Sequence, residues 1–442
     1  MLPSLPTAPL SSFADLVANS LAFPTAFPGM QNRISSIVAR SDSPESTAEQ
    51  ILTDAADTRI VIHRRVLELA KDFLKVKIEF GSPIERDLYE GMRERELIQR
   101  LILKRPLSFM GENDDTVGRD GQYVASAFSK WPLVGTVLEQ APLRLQDYLS
   151  YDEIAIAALI GVSSPTHFIN SGSRYNKAKA EPGGGHTERG IYVGLVGARF
   201  EVADQMESRF LISNSKFCSA ERGYGYHNPP ASHDQALLQI WAKFYGLKDP
   251  HTGLFGFPVA GEFSHPILEA HRYSSRIGLT LEAFLLEAED RGREAGRKVH
   301  AFVVGLGLGV WQYNKEQSIL FVDTLVSTIM HLSFSHLQTV EVSWVVDKYK
   351  GSNRLVVPTQ GGEHNVTILF TRGDPAAKRA DDRLLVACYA WDGNAFPGNE
   401  FWRGSLSGSG DPAAVCCSTI GELQNPYVNP FYHSIYVVPT SM

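Results

Sequence analysis

The sequence has little cysteine: four residues among 442, at Cys218, Cys388, Cys416 and Cys417. Two of them are adjacent and none forms a Cys-x-x-Cys pair, so neither a disulfide framework nor a zinc ribbon fits the spacing. Buried, reduced thiols in a cytoplasmic setting are expected instead. Long apolar runs are also missing. No stretch approaches the ~20 residues of a membrane-spanning helix, so no membrane partner is expected. The opening residues, MLPSLPTAPLSSFADLVANSLAFPTAF, lack a basic segment and are broken by prolines, which argues against a secretion signal. A basic excess is absent too: 42 Lys and Arg face 49 Asp and Glu, a net charge of -7. Nucleic acid therefore has no support as a partner. A ligand carrying phosphates must be held by backbone amides and helix N-termini rather than by a basic surface. The remaining composition, 43% hydrophobic and 21% charged, is that of a globular protein with a sizeable core, and the length points to two or three domains.

Residues 1–42, rich in Pro, Ser and Ala, read as a poorly ordered leader. Residues 43–150 read as an N-terminal helical region. Ser46 with Glu49, and Ser82 with Glu85, match the capping box at two helix starts. The stretch ERDLYEGMRERELIQRLILK carries apolar residues at helical spacing. Residues 151–442 read as one α/β domain. Punctuation at Pro182 and Gly183 to Gly185 precedes RGIYVGLVGARF and SRFLIS, which predict a hairpin or adjacent strands. Later come RKVHAFVVGLGLGVW, the helical SILFVDTLVSTIMHLSF, then TVEVSWVV, VTILFTR and LLVACYAW. Apolar strands interleaved with helices predict a mixed sheet covered on both faces.

The densest chemistry lies in RGDPAAKRADDRLLVACYAWDGNAFPGNEFW, residues 372–402. A buried strand ends there in the loop DGNAFPGN, and open α/β sheets bind ligands at the C-terminal ends of their strands. Asp392, Gly393, Asn394, Phe396, Gly398 and Asn399 fall at that end. Downstream, glycines including Gly408 and Gly410 run into a helix, with Asp411 a suitable N-cap and Pro412 a suitable first residue. That combination is a candidate phosphate cradle. Upstream, Gly305, Gly307 and Gly309, followed by Val310, form a second glycine loop, although such a loop is usually a tight turn.

Other motifs have blander readings. His167, His186, His227, His233, His251, His265 and His271 fit no metal-ligand spacing, so no metal is expected. Cys388 lies inside an apolar strand, which disfavours a cysteine nucleophile. Trp311 and Trp391 read as core. Arg199, Glu201 and Glu207 are equally consistent with ion pairs.

Taken in order, a strand, Gly373-Asp374, a strand running into ACYAWDGNAFPGN, and glycines entering a helix resemble the ADP-ribose-binding face of macrodomains. AWDGNAFPGNEFW, GDPAAVCCSTIGELQNPYVNP and YVGLVGARFEVADQMES are similar to one branch, the family of the Legionella effector MavL, over about residues 160–435. That resemblance implies a hydrolase removing ADP-ribose from modified arginine, with ubiquitin a candidate substrate protein, no redox cofactor and no required metal. It implies Asp374 at the adenine amino group, Gly305, Gly307, Gly309 and Val310 at the phosphates, and a catalytic pair, Asp392 and Asp382, beside the distal ribose. Asp381 is the alternative to Asp382. The glycine loop precedes the Asn-rich segment, so a circularly permuted, macrodomain-like fold is expected. Asp392 stands near where ordinary macrodomains use Asn, and their usual catalytic account does not transfer. A carboxylate is unfavourable beside a diphosphate but suits a guanidinium with its paired donors. Two non-catalytic readings stand beside this one: an ADP-ribose reader, and an adaptor working through the N-terminal helices. The expected location is the cytoplasm, or a host cytosol for a delivered bacterial effector.

Overall fold

The computed structural model describes residues 2–6, 10–24, 30–182, 184–248, 255–259, 261, 265–362, 364–406 and 410–439. Within them, nine strands form one mixed sheet: β1 (Arg59–His63), β2 (Ile160–His167), β3 (Arg189–Val196), β4 (Val299–Val304), β5 (Leu337–Ser343), β6 (Arg354–Pro358), β7 (Asn365–Thr371), β8 (Leu384–Trp391) and β9 (Ile435–Val438). Their order across the sheet is β6-β7-β5-β4-β8-β3-β2-β1-β9. The five strands from β7 to β3 are parallel, so their C-terminal ends share one edge. β6 and β2 run antiparallel on either side of them.

The burial patterns follow from these positions. Every residue of β8 except Ala390 is buried, as expected for a strand covered on both faces. β7 lies near the edge and alternates, with Val366, Ile368 and Phe370 turned inward. Helices flank the sheet. The 26-residue helix Ala270–Ala295 packs against β1, β4 and β8 beside the helix Glu316–His331, and Gly410–Cys417 packs on β8. No helix of the described residues is long and apolar enough to cross a membrane.

Several sequence expectations change here. Helices Phe13–Ala22 and Ile34–Arg40 occupy part of the stretch read as a leader, and Leu16 is wholly buried. Residues 43–150 form the expected helical region, with short strands among the helices. RIVIH forms β1 inside the main sheet, and Ser108–Met110 pairs with Asp115–Val117 as a hairpin. One continuous core runs from Leu16 to Phe431 across the expected boundary at 150. Ser82 and Glu85 do form a capping box. Ser46 does not, because the helix begins earlier at Pro44, whose fixed φ suits a first helical position. ERDLYEGMRERELIQRLILK contributes to two helices, Pro83–Tyr89 and Glu94–Leu103, separated at Gly91 with φ of 72°. SRFLIS gives a helical turn and a short strand paired with Ile267–Leu268, not with β3. Gly183 and His251 lie outside the described residues.

Candidate active site

β8 delivers Asp392 to the edge where the parallel strands end. The carboxylate is nearly enclosed, with the residue 9% exposed. Oδ1 accepts from Asn394 N at 3.0 Å and Ala395 N at 2.9 Å, and Oδ2 accepts from Asn399 Nδ2. This Asx-type turn folds the loop around the side chain. Gly393 takes φ of 77°, and a Cβ there would meet Val196 Cγ2 at 2.9 Å, so the loop packs tightly over β3. Burial pushes the Asp392 carboxyl above the usual range, more than its hydrogen bonds and the Arg199 charge pull it down. Asn394, wholly buried, has no partner for Oδ1 or Nδ2 among the described residues. An amide with two donors and an acceptor unused inside a protein is unusual and marks a place where a ligand or water is received.

Asn399 joins three segments. Its Nδ2 donates to Asp392, its Oδ1 accepts from Phe109 N at 2.8 Å, and its backbone N donates to Asp411 Oδ2 at 3.2 Å. Asp411 lies in the first turn of Gly410–Cys417 and turns away from its own helix to accept from Gly398 N at 2.8 Å. The N-cap expectation therefore gives way to a brace between the helix start and the loop. Burial, with the neighbouring Asp392 and Glu400 carboxylates, pushes Asp411 well above the ordinary range.

The glycine loop after β4 reaches the same edge. A Cβ on Gly197, just after β3, would meet Gly307 N at 2.1 Å, so the two backbones touch and no larger residue fits. Val310 is 84% exposed. Trp311 Nε1 donates to Glu201 Oε2 at 2.9 Å, and Glu201 receives Arg199 Nε at 2.7 Å. Arg199 Nη2 donates to Asp114 Oδ1 at 2.7 Å, and Asp114 Oδ2 accepts from Tyr151 at 2.5 Å. The ion-pair reading of Arg199 and Glu201 is the observed one, while Glu207 pairs with the fully buried Arg276.

Not all the predicted residues meet. Asp382 is exposed and precedes β8, whereas Asp392 follows it. At ~3.3 Å per residue the strand holds them roughly 30 Å apart, too far to act on one bond. The Asp382 carbonyl accepts from Arg297 Nε at 3.0 Å, and the neighbouring Asp381 pairs with Arg383. Phe396 is 1% exposed and packs edge-on against Phe23 and Tyr427, so it belongs to the core rather than to a ligand surface. Asp374 lies three residues past β7, where its Oδ2 accepts from Ser171 Oγ at 3.1 Å. Gly408 lies outside the described residues.

Other groups escaped the sequence reading. Glu341 of β5 accepts from Thr371 Oγ1 at 2.8 Å, faces His300 Nε2 at 2.8 Å and receives Arg379 at 3.2 Å. Burial raises its carboxyl, but these partners outweigh it and hold the group down to about 2. The alternating TVEVS pattern was the available signal, since it puts this glutamate on a covered face. Arg105, Phe109 and Asp114 reach the site from the N-terminal region, and nothing in their spacing announces it.

The cysteines offer no nucleophile: all four are buried, and burial pushes the Cys388 thiol up to about 12. Glu85, Asp152 and His233 converge as metal ligands do, among the described residues. Their centre holds the Lys77 ammonium, at 2.5, 2.7 and 3.0 Å respectively.

Comparison with known proteins adds to this geometry. A family model described as ADP-ribosylhydrolase MavL-like matches residues 14–437. A Drosophila melanogaster protein named ADP-ribosylarginine hydrolase CG3568 is 36% identical over 413 residues, covering 88% of this chain and 79% of its own. A second, ADP-ribosylarginine hydrolase CG2909 of the same organism, is 32% identical over 440 residues, covering 95% of this chain and 85% of its own. The match takes in β1, the 105–119 segment and the Asp392 loop together, and the chain belongs to the MavL-like family of ADP-ribosylhydrolases.

Proposed function

We propose that the protein hydrolyses the N-glycosidic bond between ADP-ribose and arginine on modified proteins in the cytoplasm, with ubiquitin a candidate substrate. The observation that carries this reading is the buried Asp392 carboxylate at the end of β8, with the unpartnered Asn394 amide two residues on. The names of the two Drosophila relatives support arginine as the linkage. In this reading ADP-ribose lies along the C-terminal edge of the parallel strands in a macrodomain-like cleft of permuted order. The adenine sits near Asp374, the diphosphate on the backbone of Gly305–Gly309, and the distal ribose against Asp392. β7 and β8 are separated by β5 and β4, three spacings of ~4.8 Å or roughly 14 Å, which an extended ligand of this type bridges.

The chemistry follows from the charges. The substrate guanidinium arrives protonated. As its bond to the ribose C1″ breaks, the electron pair stays on nitrogen and positive charge develops on the ribose. The Asp392 carboxylate stabilises that charge and accepts a proton from the attacking water. The water oxygen bonds to C1″, giving free ADP-ribose, and the departing guanidine takes up the proton. The raised Asp392 carboxyl makes it a stronger base than an exposed aspartate.

The test compares arginine-ADP-ribosylated ubiquitin with an aspartate- or glutamate-linked substrate, using wild type and Asp392→Ala. The expected result is release of ADP-ribose from the arginine substrate alone, lost in the variant. Binding of free ADP-ribose with neither substrate cleaved would replace this reading with that of a reader.

A further inference from the structure

One buried charge beside the site has no role in the chemistry above. Arg105 follows the helix Glu94–Leu103 and is wholly buried. Its Nε donates to Leu101 O at 2.7 Å, but Nη1 and Nη2 have no partner among the described residues. The guanidinium lies 4.0 Å from the centroid of the Trp391 ring, whose own residue immediately precedes Asp392. The chain is tied to the Asp392 loop on its other side as well, because Pro106 O accepts from Phe396 N at 3.1 Å. Arg119 Nη1 donates to the Arg105 carbonyl at 3.0 Å and so fixes its backbone. Burying two guanidinium nitrogens, with four N–H donors, without partners is unfavourable, and native structures keep such groups where a charge has a task.

The charge one residue beyond that ring is Asp392. Among the described residues no arginine is hydrogen-bonded to that carboxylate; its bonds come from two backbone amides and Asn399. Burial pulls the Arg105 guanidinium down to about 9 against the attraction of Asp392 and a smaller one from Tyr389, so Arg105 stays protonated at neutral pH. Four other charged groups surround this pair. Arg199 faces Asp392 from the segment after β3 but is held by Asp114 and Glu201. Asp411 and Glu400 bring negative charge from the two short helices beyond the loop, and Arg119 is turned toward the Tyr148 ring and the Asp147 carbonyl.

We propose that Arg105 is a positioning residue for the hydrolase reaction: stacked on Trp391, it seats the Asp392 loop and supplies the uncommitted positive charge that keeps the buried carboxylate ionised. This rests on the proposed role of Asp392. The N-terminal region then belongs to the catalytic apparatus, since the other arginine facing Asp392, Arg199, is already paired with Asp114 and Glu201.

The experiment is the pH profile of kcat/KM from about pH 5 to about pH 9 on arginine-ADP-ribosylated ubiquitin, for wild type, Arg105→Met, Arg105→Lys and Asp392→Asn. Loss of the neighbouring cation raises the pKa of a carboxylic acid by about one unit or more, so the acid limb of Arg105→Met moves upward by about that amount with KM within about threefold. Arg105→Lys returns the limb toward wild type. If Arg105→Met does not fold, Arg105→Gln carries the same measurement. An equal loss at every pH would mean packing alone and overturn the proposal. A limb that stays in place while KM and the Kd of free ADP-ribose rise about tenfold would overturn it in favour of direct contact with the ligand. Normal turnover in Asp392→Asn sinks the reading of Asp392 and this proposal with it. An inactive Asp392→Asn beside an unmoved Arg105→Met profile sinks this proposal alone.

Discussion

Asn399 donates from Nδ2 to Asp392 Oδ2, and the same side chain accepts at Oδ1 from Phe109 N at 2.8 Å. One amide thus fixes the candidate catalytic carboxylate and ties it to the N-terminal hairpin. Asn399→Ala leaves a buried carboxylate oxygen and a buried N–H without partners, at a cost of about 1–3 kcal/mol each. The thermal midpoint is expected to fall by several degrees. Turnover on the arginine-linked substrate should fall by about 10²-fold, the low end of what an acid–base group contributes. Unchanged turnover in a stable variant would mean that the orientation of Asp392 is irrelevant to the reaction.

Asp382 and Asp392 give the sharpest contrast between aspartates of similar sequence context. Since β8 stands between them, Asp382→Asn is expected to keep turnover within about twofold of wild type, as surface substitutions away from structural features usually do. Asp392→Asn is expected to lose about 10²-fold or more. Steady-state rates on the same substrate decide the matter, and equal losses in the two variants would require the long-range separation in this fold to be wrong.

The residues that made the fold legible were those whose patterns are local. VTILFTR, LLVACYAW and RKVHAFVVG became β7, β8 and β4 because continuous or alternating apolar residues report burial directly. The placement of Asp392 at a strand's C-terminal end was legible for the same reason. Asp382 was misread because three aspartates close in sequence look like a cluster, and only the extended strand between them shows otherwise. Phe396 was misread because a loop aromatic gives no local sign that Phe23 and Tyr427 will close over it. Arg105 and Phe109 were invisible because they come to the site from nearly 300 residues away, and long-range pairing leaves no periodicity to read.

Asp411 gives the protein a distinctive pH response. Its carboxyl is pushed well above 3.8 by burial and by Asp392 and Glu400, so the folded chain holds its proton more tightly than the unfolded chain. The stability linked to this group is full below the unfolded value of about 4 and is lost as pH rises through the folded value. Glu341, held down to about 2, works in the opposite sense, and its contribution is lost only as pH falls below the usual glutamate range. Asp411→Asn fixes the neutral state. It keeps an acceptor for Gly398 N and loses the longer bond from Asn399 N, a penalty nearly independent of pH. The thermal midpoint of wild type is expected to fall more steeply than that of the variant as pH rises above about 4. Parallel curves would show that Asp411 does not titrate abnormally.

Glu422 connects the chain's first helices to the segment that carries Asp411. Its Oε1 accepts from Arg33 Nε at 2.9 Å and from Ser20 Oγ, while Oε2 accepts from Ile34 N at 2.7 Å. Arg33 and Glu422 side chains are only 11% and 9% exposed. Removing one member of a buried ion pair leaves the other charge uncompensated and costs about 3–5 kcal/mol. Glu422→Ala is therefore expected to lower the thermal midpoint clearly. Deleting residues 1–42 should lower it further, because Leu16 and Phe23 leave the core together with Arg33. Phe23 packs edge-on against Phe396 and Trp402, so the deletion also uncovers the underside of the Asp392 loop, and turnover should fall with stability. Calorimetry and substrate turnover on the two proteins test this together. A truncated chain with wild-type midpoint and turnover would return residues 1–42 to the status of a dispensable leader, whereas loss of both makes them a built-in support of the site.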